Sequence, residues 1–116
     1  MNTLRNKVQL IGNLGQNPEI RTFDNGKALA RFSMATTDSY YDSNGKKITE
    51  TQWHNVAAWG NLAKIAEKYL IKGSEVAVEG KLTHRSYDDK DGKKCYFTEV
   101  VVSDLVMLRS KNSGEE

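Results

Sequence analysis

The sequence contains very little cysteine and very little proline. Cys95 is the only cysteine among the 116 residues, so an intrachain disulfide and a Cys-x-x-Cys metal or redox motif are both excluded. We interpret Cys95 as a small residue near a strand edge. Pro18, the only proline, follows the first predicted strand, where its missing N–H removes no ladder hydrogen bond.

Long hydrophobic runs are also missing. No apolar stretch is long enough to cross a bilayer, and the first residues lack the basic and then apolar pattern of a secretion signal. The length suits one domain with a modest core. A hydrophobic content of 38% and a net charge of +2 are typical of a globular protein and compatible with a nucleic-acid partner. We therefore expect a single cytoplasmic domain.

Three turn signals organise the chain. The pairs Asn25-Gly26, Asn44-Gly45 and Asp91-Gly92 predict β-hairpins, because both residues of each pair tolerate the positive φ of a tight turn. Around these pairs, β-prone segments predict five strands over residues 4–14, 27–38, 48–59, 75–87 and 95–108. Gly12 and Gly80 interrupt the first and fourth strands, where we expect bends or bulges.

Between the third and fourth strands the apolar period changes to that of a helix. The predicted helix covers residues 62–72, with Asn61 as its N-cap and Gly73 at its C′ position. Its apolar stripe consists of Leu62, Ile65, Ala66, Tyr69 and Leu70. The order β-β-β-α-β-β predicts an all-β domain with one helix, a five-stranded OB-fold barrel.

Aromatic residues alternate with cations on the polar faces of these strands. Trp53 and Trp59 are six residues apart on one strand, so their side chains share a face and could stack on nucleobases. The alternative is that each indole caps one end of the barrel core. Arg85 and Tyr87 share a face of the fourth strand, and Tyr40 ends the second. Together these residues favour binding of single-stranded nucleic acid. Its unpaired bases can stack on aromatic rings whatever their identity, and the cations can contact its phosphates.

No catalytic or metal-binding motif is apparent. The run from Asp88 to Gly92 lacks the glycine and glutamate spacing of a calcium loop, and neither His54 nor His84 has a cysteine or nucleophile partner. We therefore predict no cofactor, no metal and no enzymatic activity. Two alternatives stay open, namely a protein-docking relative of primosome type and a small OB-fold hydrolase that depends on a divalent metal.

Several segments closely resemble the bacterial single-stranded DNA-binding protein family. They are residues 6–19, Trp53-His54, Trp59-Gly60 and residues 69–74, 78–80 and 98–102. The resemblance implies an OB-fold domain over residues 1–109, assembled as a homotetramer, that coats single-stranded DNA during replication, recombination and repair, near the nucleoid. From the residues alone, an exposed first strand could pair two barrels, and four copies follow only from the resemblance.

The resemblance also assigns roles to individual positions. The base-stacking aromatics would be Tyr40, Trp53, Trp59 and Tyr87. The backbone-binding cations would be Lys7, Arg21, Lys72 and Arg85. His54 would lie at a subunit interface. Two stacking positions that usually hold tryptophan hold tyrosine here, and Trp59 stands where phenylalanine is usual.

The C-terminal end departs from the family pattern. Residues 110–116 are expected to form a flexible remnant without the acidic peptide that recruits replication and repair proteins. Either a longer tail has been removed or the chain is a short variant. Recruitment of such partners is therefore not predicted for this sequence.

Overall fold

In the computed structural model, residues 4–109 are described, and the predicted remnant 110–116 lies outside them. Residues 4–109 fold into one mixed sheet with a single helix. Its elements are β1 (Val8–Leu14), β2 (Glu19–Thr22), β3 (Ala28–Tyr41), β4 (Lys47–Trp59), α1 (Asn61–Tyr69), β5 (Glu75–Asp88) and β6 (Lys94–Arg109). The strand order is β1-β5-β6-β4-β3-β2, and an additional β1–β3 pairing closes the barrel. The predicted class, an all-β OB-fold barrel with one helix, is confirmed.

The three predicted hairpins all form. Gly26, Gly45 and Gly92 have φ values of 85°, 78° and 79°, which a residue with a Cβ rarely adopts. In the second hairpin, Asp42 Oδ1 accepts hydrogen bonds of 2.9 Å from the N–H groups of Asn44 and Lys46. The third hairpin repeats this arrangement around Asp89. The long β3–β4 and β5–β6 ribbons are therefore closed by defined turns.

The short strand β2 was not predicted from the sequence. β2 pairs antiparallel with the start of β3, from Glu19 opposite Arg31 to Thr22 opposite Ala28. Its four residues are exposed apart from the half-buried Ile20, so hydrophobic alternation does not mark it as a strand. The first predicted strand also begins too early, since β1 starts at Val8.

Gly12 and Gly80 lie where strands pass closest to one another. Beyond Gly12, β1 reaches its last partner on β5 and begins to pair with β3. A Cβ on Gly12 would lie 2.1 Å from the Ala35 carbonyl oxygen. The β5–β6 register shifts at Gly80, where a Cβ would lie 2.1 Å from the Val101 carbonyl oxygen. At both predicted bend positions, the backbone of a neighbouring strand therefore leaves no room for a Cβ.

The helix is shorter than predicted and begins differently. It covers Asn61–Tyr69 instead of residues 62–72, and Gly60, with a φ of 63°, occupies the N-cap position assigned to Asn61. The helix ends because Leu70 adopts an extended conformation that buries its side chain in the core. Gly73, the predicted C′ residue, instead lies in the following turn and donates its N–H to the carbonyl of Leu14.

The buried face of α1 matches the predicted stripe only in part. Ala66 and Leu70 are buried as predicted, but Ile65 and Tyr69 are 39% and 52% exposed, and Ala63, outside the predicted stripe, is fully buried. Small alanines let the helix approach the barrel end closely, where both alanines join the hydrophobic core. Within residues 4–109 no helix is long and apolar enough to cross a membrane.

Candidate nucleic-acid interface

Both tryptophans of β4 face outward. Trp53 is 61% exposed and Trp59 is 38% exposed, while Val56 and Ala58 on the opposite face are buried in the core. The structure thus excludes the alternative in which the indoles cap the barrel interior. Ala57, which lies on the same face between them, is fully buried. The two rings therefore stand apart as separate flat surfaces.

Trp53 lies over the backbone that follows β1. A Cβ added to Gly15 would lie 2.4 Å from Cζ3 of the indole, and Ser33 is the next nearest group. The Gly15 N–H donates to the carbonyl of Ser33, which fixes this backbone against β3. The missing side chain at position 15 thus leaves room for the ring, whose other face remains open to solvent.

Trp59 is held by a second aromatic ring. The ring centroids of Phe23 and Trp59 are 5.9 Å apart, with an interplanar angle of 20°, a stacked arrangement. Cross-strand register places Arg21 and Trp59 on the same face, on either side of Leu29. The positive charge of Arg21 therefore lies on the same face as the aromatic pair, where it could contact the phosphate backbone of a bound strand.

A groove runs along the outer face between the β3–β4 and β5–β6 ribbons. It consists of two cavities that share Arg31 and Phe97; Asn55 and Glu99 line one, and Arg85, Ser86 and Tyr87 line the other. Register explains this gathering, because Arg85 lies opposite Phe97 and Arg31 lies opposite Ala57, between the tryptophans. The groove therefore places aromatic rings and guanidinium groups close together on the outer face of the barrel.

The four predicted cations occupy different surroundings. Arg85 donates through Nη2 to Oε1 of the buried Glu99. Lys7 forms an exposed ion pair with Glu79, with 3.7 Å between Nζ and Oε1. Within residues 4–109, Arg21 and Lys72 have no carboxylate partner. Only Arg21 and Arg85 lie on the aromatic face described above, whereas Lys7 lies beside β5 and Lys72 follows the helix.

Tyr40 and His54 stand apart from the indoles. Strand alternation along the β3–β4 ribbon places both on the face opposite Trp53. Tyr40 is 48% exposed, and its hydroxyl donates to Glu50 Oε1 at 3.3 Å. His54 is half-buried, with its Nε2 atom 2.9 Å from Thr36 Oγ1. Tyr40 thus belongs to the outer arm of the ribbon, and His54 lies away from the aromatic face.

Three groove or platform residues were missed by the sequence analysis, namely Phe23, Arg31 and Phe97. A parity argument along β6 would have found Phe97, because Cys95, Phe97 and Glu99 alternate on one face. Strand alternation along β3 and β4 would have found Arg31, which lies opposite Ala57, whereas Phe23 follows β2, the strand that was not predicted. Within the described residues, no three His, Cys, Asp or Glu side chains are grouped to hold a metal ion.

Residues 5–108 match the sequence profile of the Single-strand binding protein family. The chain belongs to that family. It is a family of binding proteins and not of enzymes, as predicted. The chain is 47% identical over 110 residues to single-stranded DNA-binding protein 1 of Chlorobaculum tepidum, covering 94% of this chain and 68% of that one. It is also 47% identical to the single-stranded DNA-binding protein of Bacteroides thetaiotaomicron, with 94% and 69% covered.

Solved structures of the same family share the fold. The Plasmodium falciparum SSB in complex with ssDNA superposes with a TM-score of 0.82 at 33% identity, covering 93% of this chain and 99% of that one. A deletion mutant of the Thermus aquaticus single-stranded DNA binding protein gives a TM-score of 0.78 at 28% identity, with 92% of this chain and 52% of that one covered.

Proposed function

We propose that the chain binds single-stranded DNA without reading its sequence. The observation that carries this proposal is the outer face of the barrel, where exposed aromatic rings alternate with guanidinium groups in a member of the Single-strand binding protein family. The Plasmodium falciparum relative, which shares the fold, was solved with ssDNA. Stacking on unpaired bases is tolerant of sequence because every base has a flat face.

Each proposed contact follows from the chemistry of its side chain. Tyr40, Trp53, Trp59 and Tyr87 stack on bases, and Lys7, Arg21, Lys72 and Arg85 neutralise phosphates. Because these cations are spread over the barrel, the DNA path must wrap around it. Such coating protects exposed strands during replication, recombination and repair, which places the protein at the nucleoid in the cytoplasm.

Competition between DNA forms tests this function. In fluorescence anisotropy, labelled oligo(dT) should be displaced by unlabelled single strands at least about tenfold more effectively than by duplex of equal length, because paired bases cannot stack on the rings. A protein-docking module would bind neither form, and that result would overturn the proposal. Cleavage of the labelled strand that stops on addition of a chelator would instead support the metal-dependent hydrolase.

We also propose that copies of the chain associate, as a homotetramer. The outer face of β1, β5 and β6 carries an exposed apolar row in which Ile11, Ala77 and Val106 are aligned by register. Ile11 and Val106 are each 54% exposed, which is unusual for aliphatic side chains on a sheet. Within residues 4–109, the other edge of β1 is unpaired from Val8 to Gly12, so a second copy can extend the sheet. His54 belongs to another proposed subunit contact.

Light scattering checks the assembly. The mass should be four times the 13.0 kDa of one chain, both with and without oligo(dT). Replacing Val106 with aspartate should lower this mass, because a carboxylate would be buried in the apolar contact. A monomeric mass for the unaltered protein at micromolar concentration would contradict the proposed association.

A further inference from the structure

A carboxylate lies beneath the groove that we propose binds DNA. Glu99 is 1% exposed, at the centre of β6, and its side chain points to the groove face of the barrel. We propose that Glu99 is a positioning residue for DNA binding, which holds the guanidinium of Arg85 in the orientation that meets the phosphate backbone. This inference rests on the proposed function and adds a residue to it.

The contact between the two groups is direct. Arg85 Nη2 donates to Glu99 Oε1, and the Arg85 side chain remains 47% exposed while its partner is buried. A guanidinium carries five N–H donors, so a single bond to Glu99 leaves others for a ligand on the solvent side. The carboxylate thus holds Arg85 from below without covering it.

Glu99 is held in place by cross-strand contacts between β5 and β6. Thr83, which pairs with Glu99 across β5 and β6, donates its hydroxyl to the Glu99 carbonyl at 3.2 Å. Phe97 lies opposite Arg85 in the same register, and Arg31 borders the groove on the facing ribbon. Glu99 is therefore the buried member of the pair, held within the β5–β6 ladder, whereas the Arg85 side chain is the exposed member.

Electrostatics alone gives no reason for a carboxylate at this place. A negative charge close to phosphates lowers affinity for DNA, and burying it has a desolvation cost. A compensating gain arises if the carboxylate restricts the rotamers of Arg85 before binding, because less side-chain freedom is then lost when the phosphate arrives. Held in this way, the planar donor fork can present its outer edge to phosphate oxygens.

Loss of the Glu99 carboxylate should therefore change DNA affinity in the direction opposite to the effect of charge alone. The variant Glu99→Gln removes one negative charge, and we expect it to bind oligo(dT) about threefold to tenfold more weakly, because the neutral amide holds Arg85 less firmly. The matched control is Glu67→Gln, which removes the same charge from an exposed position on α1, outside the groove. The control should bind as tightly as the unaltered protein or more tightly.

A double-mutant cycle separates positioning from other effects. In an Arg85→Ala background, Glu99→Gln should cause no further loss of affinity, because nothing remains to be positioned. The variant Arg85→Lys keeps the charge but not the planar fork, and it should lose about as much as Arg85→Ala. This second variant tests the proposal even if Glu99→Gln lowers the melting temperature, since it leaves Glu99 in place.

The outcomes are distinct. Equal or tighter binding by Glu99→Gln, or full affinity in Arg85→Lys, would overturn the positioning role and leave the proposed function standing. If the unaltered protein does not bind oligo(dT), the proposed function fails, and the positioning role fails with it.

Discussion

Replacing both Trp53 and Trp59 with alanine is expected to weaken oligo(dT) binding by about 2–6 kcal/mol, since each lost base stack contributes about 1–3 kcal/mol. The double substitution should weaken DNA binding and leave the barrel folded, because both indoles are exposed on the outer face and the core lies on the other side of β4. Anisotropy titrations give the affinity, and thermal unfolding shows whether the barrel is intact.

A double variant with phenylalanine at both positions is the matched control. Phenylalanine keeps a flat ring at each site, so this variant should retain most of the affinity that the alanine variant loses. Unchanged titration curves for a folded alanine variant would show that the indoles are not the platform. An equal loss in both variants would show that the indole itself, and not ring stacking, makes the contact.

Gly15→Ala should weaken oligo(dT) binding by about 1–3 kcal/mol, the contribution of one base stack. The new Cβ would lie 2.4 Å from the Trp53 ring, so the indole must move off the surface where it now rests. The backbone itself should tolerate the change, because Gly15 is not among the glycines with positive φ. The affinity is measured by anisotropy, and the near-ultraviolet circular dichroism reports the new position of the ring.

The effect of Gly15→Ala should depend on Trp53. In a Trp53→Ala background the same change should cause no additional loss, because there is no ring left to displace. A loss of equal size in both backgrounds would mean that position 15 affects binding by another route. Full affinity of the single variant would mean that the ring position does not matter.

Local chemistry made much of the fold predictable from the sequence. The Asn-Gly and Asp-Gly pairs fixed all three hairpins, because the positive φ that they favour is a property of the residues themselves. The shared face of Trp53 and Trp59 followed from strand alternation alone. Those features need no knowledge of which strands become neighbours.

Features that depend on neighbouring strands were not predictable in the same way. β2 has little hydrophobic pattern and is a strand because β3 offers it hydrogen-bonding partners. The Phe23 stack on Trp59 depends on the turn that follows this strand. The omission of Phe23 from the predicted site is a consequence of the missed strand.

The buried face of the helix was only partly predictable from the sequence. Ala66 belongs to the predicted stripe and is buried, but Ile65 and Tyr69 of the same stripe are exposed. Ala63 is buried instead, because close approach to the barrel favours small side chains there. Likewise, no sequence pattern indicated that Arg85 would contact Glu99, fourteen residues away across a hairpin. Register places the two side chains on one face, and it is known only from the structure.

The central claim is that unpaired bases stack on the exposed rings of the barrel, and Trp53 fluorescence tests it most directly. In a Trp59→Phe variant, Trp53 is the only indole, so its emission reports on one site. We expect strong quenching of the Trp53 emission that saturates as oligo(dT) is added, and little quenching by duplex of equal length. Oligo(dT) that binds without altering the emission of Trp53 would contradict it.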